Sequence, residues 1–192
     1  MRDDDGLGFG GIAAIGGTVL VVIVGVTIIF GSWFTVDQTE RGVLLRNGAI
    51  SEIVQPGLHF KTPWIETVAK IDMQTHTLTV GQDGKNVTPM EAYSADQQPA
   101  QLRVSVTYHV APDKVADLYS RFGGDVQAGV SRIITPHVYE RVKDVFGQYS
   151  AQRAITDRVK LNVDAGQAIK DSIAYDPVFV IESAQIENIE FS

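Results

Sequence analysis

Cysteine is absent from all 192 residues, which removes disulfides, thiolate nucleophiles and cysteine metal ligands together. A chain without thiols is stable in any redox setting, so the compartment stays open. Long basic runs are missing too. Sixteen Lys and Arg stand against 23 Asp and Glu, a net charge of −7. Holding a nucleic-acid backbone needs clustered cations, so nucleic acid is not an expected partner. The four histidines, His59, His76, His109 and His137, are scattered, with no pair at metal-ligand spacing. No Gly-x-Ser-x-Gly elbow occurs, and no serine has an evident histidine partner. Surface or structural roles are expected for the histidines, with no catalytic, cofactor or metal residue and no enzyme activity.

The most telling absence is charge between residues 6 and 36. Within that stretch lies IAAIGGTVLVVIVGVTIIF, residues 12–30. As a helix at about 1.5 Å per residue it would be roughly 28 Å long, close to the hydrocarbon thickness of a bilayer. A core helix this long with no polar face is unusual in so small a protein. A signal peptide would have a basic start and a small-x-small cleavage site, whereas this chain opens MRDDD and offers Gly31-Ser32-Trp33. The expectation is a retained single span over residues 12–34, after a flexible segment 1–11, with Trp33 and Phe34 as its interfacial aromatics. Ala13 and Gly17 form a small-xxx-small face for close helix packing. Positive charges on the two flanks nearly tie, so they do not fix which way the span runs.

Beyond the span, short strands and turns take over. RGVLLRNGAISEIV reads as a hairpin closed by Asn47-Gly48, a pair that favours the type I′ turn. VQPGLHFKTPW, residues 54–64, reads as a loop because Pro56-Gly57 suits a type II turn. It carries Leu58, Phe60 and Trp64, with Lys61 between them. Such side chains either plug a core or rest on lipid, and spacing alone leaves both open. LRVSVTYHV alternates strictly: Leu102, Val104, Val106, Tyr108 and Val110 on the buried face, Arg103, Ser105, Thr107 and His109 on the other.

The period then becomes helical. PDKVADLYSRFGG has Gly123 as a C-cap. Residues 125–146 place Val126, Val130, Ile133, Ile134, Val138, Val142 and Val145 on one stripe, with Pro136 inside to kink or split it. A third helix over residues 151–173 has an expected stripe of Ile155, Val159, Val163, Ile169 and Ile173. DPVFVIESAQIENIEF closes the chain as one or two strands. The class is α+β: a β-rich part over residues 35–98 and an α/β part over 99–192.

Two motifs carry less than their spelling suggests. Gly6, Gly8 and Gly11 spell a dinucleotide fingerprint, but no strand precedes them and an apolar run follows. Asn86-Val87-Thr88 spells a glycosylation sequon beside a turn, and such triplets arise often by chance.

In order along the chain, TERGVLLRNGAI, PGLHFKTPWIETVAKIDM, SADQQPAQLRVSVTYHV, LYSRFGG, RIITPHVYERVKDVFGQYSAQRAITDRVKL and VFVIESAQIENIEFS resemble the SPFH (stomatin, prohibitin, flotillin, Hfl) or Band 7 family. Its prohibitin-like members are the best match. The resemblance implies a membrane-anchored, non-catalytic scaffold whose copies form rings or cages that organise a patch of membrane. It also implies that such assemblies hold or modulate an ATP-dependent membrane protease of the FtsH type. In the Hfl and prohibitin branches the domain lies outside the cytoplasm or in the intermembrane space, in the stomatin and flotillin branches it faces the cytoplasm, and the expectation is the former, in the inner or plasma membrane. Family members of this type continue into a long coiled coil, which would begin where this sequence reaches Phe191-Ser192. Within that frame Leu58, Phe60 and Trp64, with Trp33, Phe34 and Lys61, become candidate membrane contacts. Two other readings stay in view. One is a monomeric lipid-binding adaptor; the other is a membrane-anchored hydrolase using His109 or His137.

Overall fold

The computed structural model describes residues 9–81 and 90–191, except for the side chains of 9–15 and 29–30. Helix α1 runs Phe9–Gly31. Its side chains are described over 16–28, thirteen residues or about 20 Å of helix. Among the described residues no helix is long and apolar enough to cross a membrane. The span expected over residues 12–34 is therefore not shown, and its far end is corrected: Trp33 and Phe34 lie in a strand, β1, Trp33–Val36. The glycine-rich start falls partly, and the sequon wholly, outside the described residues, as does the side chain of Ala13. Apart from its own helix backbone, Gly17 has no described atom within 4 Å of where a Cβ would stand.

Two small sheets follow. Strand β1 pairs antiparallel with β4, Gly57–Phe60. Strand β2, Glu40–Arg46, lies between β3, Ala49–Val54, and β5, Glu66–Asp72. The β2–β3 turn has Asn47 at φ 50° and Gly48 at φ 84°, the two positive φ values that a type I′ turn requires. Within the stretch read as a loop around Pro56, residues 57–60 form strand β4, and residues 55–56 and 61–64 lie outside any strand. Leu58 and Phe60 alternate there on one face because β1 offers an unpaired partner.

The larger sheet is built on β8, Pro99–Val110, whose residues alternate between buried and half-buried along all twelve positions. Strands β6, His76–Gly81, and β7, Met90–Tyr93, pair with one edge of β8. Strand β9, Phe179–Phe191, pairs with the other edge over nearly its whole length, with two bulges. The expected alternation in β8 is what the structure contains.

Helix α2, Val115–Phe122, ends on Gly123 in the left-handed conformation. The next helical stretch is split as Pro136 demands. Proline has no N–H and its ring collides with the carbonyl four residues back. The chain widens into a π-helical segment, Val130–Ile134, between α3, Val126–Gly129, and α4, Thr135–Phe146. There both the amide and the hydroxyl of Thr135 bond the Val130 carbonyl, five residues back. Its stripe from Val130 to Val145 is buried against the larger sheet.

The third helix departs from expectation. It breaks at Asp157 into α5, Ala151–Thr156, and α6, Arg158–Ile173. Ile155, Val159 and Val163 face away from the core: Val159 is 81% exposed and Val163 64%. Leu161, Ala165, Ile169 and Ile173 are buried instead. Within α6 the step from Val163 to Ile169 is six residues, about 240° of turn, so the expected stripe could not keep one face there.

Helix α5 is held at its start from two sides. The Ser150 hydroxyl accepts from the Arg153 amide, and Asp96 Oδ1 accepts from the Ala151 amide at 3.0 Å and from the Ser94 hydroxyl at 2.6 Å. These bonds, the Ser94 hydroxyl first, hold the Asp96 carboxyl below its ordinary value. A depressed carboxylate pKa stabilises the fold above the unfolded value and loses that effect as pH falls through the folded one. Asp96→Asn is therefore expected to lower Tm at pH 6–8, with the gap to the parent closing below about pH 4. Melting both chains across that range checks it, and a gap independent of pH would refute it.

Candidate functional site

Few side chains in a folded domain are both large, apolar and bare, yet a group of them gathers where α1 meets the first sheets. The register of the β1–β4 ribbon explains the grouping. Trp33 lies opposite Phe60 and Thr35 opposite Leu58, so Trp33, Leu58 and Phe60 share one face. The other face turns Val36 into the core, where it is buried. Trp33 and Phe60 stack at a tilt, ring centroids 4.2 Å apart, and Phe34 lies 5.5 Å from the ring of His59 on the opposite side.

The loop after β4 folds back onto the end of α1. The Lys61 amide donates to the Ser32 carbonyl at 2.7 Å, and Pro63 lies beside Gly31. Glu66 holds the turn from below, its carboxylate accepting from the Thr62 amide at 2.7 Å. Trp64 then adopts φ 65°. A left-handed conformation costs a bulky residue roughly 1–2 kcal/mol, so the fold does not choose it for comfort. The Trp64 side chain is 75% exposed, as Phe60 is at 62% and Leu58 at 55%. Ile65, which spacing did not single out, is exposed next to them.

These residues therefore do not plug a core. Lys61 is half-buried and is the one charged side chain from residue 57 to 65. The exposed apolar side chains of α1, Val19 to Ile28, continue the same chemistry. Scattered exposed hydrophobics are ordinary, but a contiguous aromatic face of this kind marks a contact surface.

The rival candidates for chemistry lie elsewhere. His109 Nδ1 bonds Glu182 at 2.9 Å, and the Thr75 hydroxyl donates to the same carboxylate oxygen at 3.0 Å. His76 Nε2 bonds Asp72 at 3.0 Å. Both carboxylates thus tie the segment between β5 and β6, and in neither pair does the histidine hold a hydroxyl ready to attack. His137 Nδ1 is buried without a hydrogen-bond partner among the described residues. Those residues hold no group of three or more metal-ligating side chains.

The SPFH domain / Band 7 family model matches residues 34–192. The chain belongs to that family. It is 26% identical over 167 residues to the "Modulator of FtsH protease HflC" of Escherichia coli (strain K12), which covers 81% of this chain and 46% of that protein. It is 26% identical over 143 residues to "Mitochondrial prohibitin complex protein 1" of Caenorhabditis elegans, covering 73% and 48%. Against "Prohibitin-2" of Schizosaccharomyces pombe the figures are 27% over 153 residues, covering 78% and 49%. The chain thus spans about half the length of these relatives. The resemblance to prohibitin-like SPFH members that the sequence carried is confirmed, and the α+β class with it.

Proposed function

We propose that this SPFH protein is a non-enzymatic scaffold on a membrane, that its copies assemble into a ring, and that the assembly modulates a membrane protease. The observation that carries it is the exposed face of Trp33, Leu58, Phe60 and Trp64 at the end of an uncharged helix. Helix α1 supplies the anchor, since its backbone runs 23 residues without a charge. The aromatic face rests on the same bilayer surface and sets the tilt of the domain. Aromatic side chains suit that depth, and Lys61 can reach lipid phosphates from its half-buried stem.

The protease is proposed from the relatives' names: one is called a modulator of FtsH protease, others prohibitins. The domain is proposed to face away from the cytoplasm in the inner or plasma membrane. Gly17, with Ala13 one turn earlier in the sequence, is proposed as the small face along which spans pack.

The test is the mass of the full chain solubilised in mild detergent. A multiple of the chain mass is expected. A strict single-chain mass would leave the lipid-binding adaptor as the better reading. A reporter fused after Ser192 should be active only outside the cytoplasm, and activity inside reverses the proposed sidedness.

A further inference from the structure

The larger sheet has two outer edges that differ in shape and chemistry. On one, β9 is shielded by α6. Asn162 Oδ1 accepts from the Ile186 amide at 2.7 Å, and Lys170 Nζ donates to the Glu182 carbonyl at 2.8 Å. These bonds occupy strand groups that another strand would need, so strand addition is blocked there. What stays open between the two bonds is a groove of about 520 Å³ with Val159, Val163, Gly166 and Ala184 in its lining. Val159 and Val163 are exposed side chains of α6, and Lys160, next to Val159 in sequence, is exposed too.

The opposite edge is made by β6 and β7, because both pair with the side of β8 that β9 leaves free. On β7 the alternation buries Met90 and Ala92 and exposes Glu91 and Tyr93. Tyr93 is 59% exposed, its hydroxyl bonded only loosely to the Glu91 carboxylate at 3.4 Å. No described strand pairs the outer edge of β7. One edge thus presents an exposed aromatic with an acid, and the other a groove in which Val159 and Val163 stand among polar residues, Lys170 and Glu182 included, with Lys160 next to Val159 in sequence.

We infer that these two edges meet between copies of this chain. Tyr93 of one copy enters the groove between Val159 and Val163 of the next, and its Glu91 faces Lys160. The occupant is a second copy because both halves of the contact are on the same molecule. A contact between unlike faces is head-to-tail, so a pair keeps one free groove on one copy and one free tyrosine on the other, and the assembly closes as a ring or grows as a filament. A two-fold pair of α6 faces would bury the valines but bring Lys160 near its own copy and leave Tyr93 bare. This inference rests on the assembly proposed above and names its surface.

The absence of cysteine makes the test clean. Full chains carrying Tyr93→Cys or Val163→Cys alone are solubilised together, mixed, and treated with a short bismaleimide. Cross-linked dimer is expected at about ten times the level formed by either variant alone. A Val163→Cys chain that cross-links with itself as strongly as the mixture would show the two-fold pair and overturn the inference. So would a multi-copy mass with no cross-link, which places the contact elsewhere and leaves the assembly standing. A single-chain mass for the parent protein removes both. As a second reading, Val163→Asp should keep the parent Tm, since the side chain is exposed, while reducing the assembly to single copies. An unchanged assembly mass would count against the groove.

Discussion

A chain begun at Ser32, and so free of α1, is expected to bind liposomes weakly through the aromatic face, and Phe60→Ser with Trp64→Ser to weaken that binding about 10- to 100-fold. The cut must leave β1 in place, because Val36 is part of the core and Trp33 part of the face. Each large apolar side chain fully removed from water contributes roughly 1.5–3 kcal/mol. Two of them, each about half immersed, give on the order of 2 kcal/mol, more than a tenfold change in affinity. The fold should stay intact, since both rings are exposed in it and Phe60 gives up only its ring contact with Trp33. Trp64→Gly separates the two roles further. Glycine accepts the φ of 65° that strains the tryptophan. That variant should melt at or above the parent temperature while binding liposomes less well. Flotation with vesicles and thermal melts read both quantities. A double variant that unfolds, or a parent that ignores vesicles of every composition, would remove the face from the mechanism.

How much of this could be read from residues alone depends on whether the signal was local. The β8 alternation and the Asn47-Gly48 turn were legible, because one face buried per strand and two positive φ values per turn leave their mark within a few residues. Pro136 announced a break, though not that a π-helical segment would absorb it. The stripe through Ile155, Val159 and Val163 misled for a physical reason. Those three repeat every four residues, but the step on to Ile169 is six, so within continuous α6 the series Leu161, Ala165, Ile169 and Ile173 takes the buried face instead. The candidate face was half legible. Leu58, Phe60 and Trp64 were conspicuous by type, but whether they lay inside or outside depended on the pairing of β4 with β1. That pairing joins segments more than twenty residues apart in sequence. Ile65, the positive φ of Trp64 and the groove beside β9 had no local signature.

Gly81→Ala is expected to cost about 2–6 kcal/mol, or to prevent folding, far more than Gly48→Ala at a similar φ. Both glycines have positive φ, 105° and 84°. A side chain there is strained wherever it points, a cost of roughly 1–3 kcal/mol. At Gly48 nothing lies within 4 Å of the added Cβ, so that is the whole effect. At Gly81 the Cβ would stand 2.0 Å from the Leu102 carbonyl oxygen and 3.0 Å from the Arg103 Cα, both backbone atoms of β8. No rotamer relieves a clash with backbone. The end of β6 must leave its partner, where Gly81 pairs with Arg103, and the neighbouring Val80–Val104 pair loosens with it. Overpacking of this kind adds roughly 1–3 kcal/mol or more. Val80 and Val104 are both buried in the core that α4 covers, so the loss reaches the hydrophobic centre. Because β8 carries every strand of this sheet, damage at its middle also reaches β9 and the groove that α6 forms with it. Denaturant melts of the two variants decide the matter. Equal losses would mean that β6 gives way at little cost and that its end contributes little to the core.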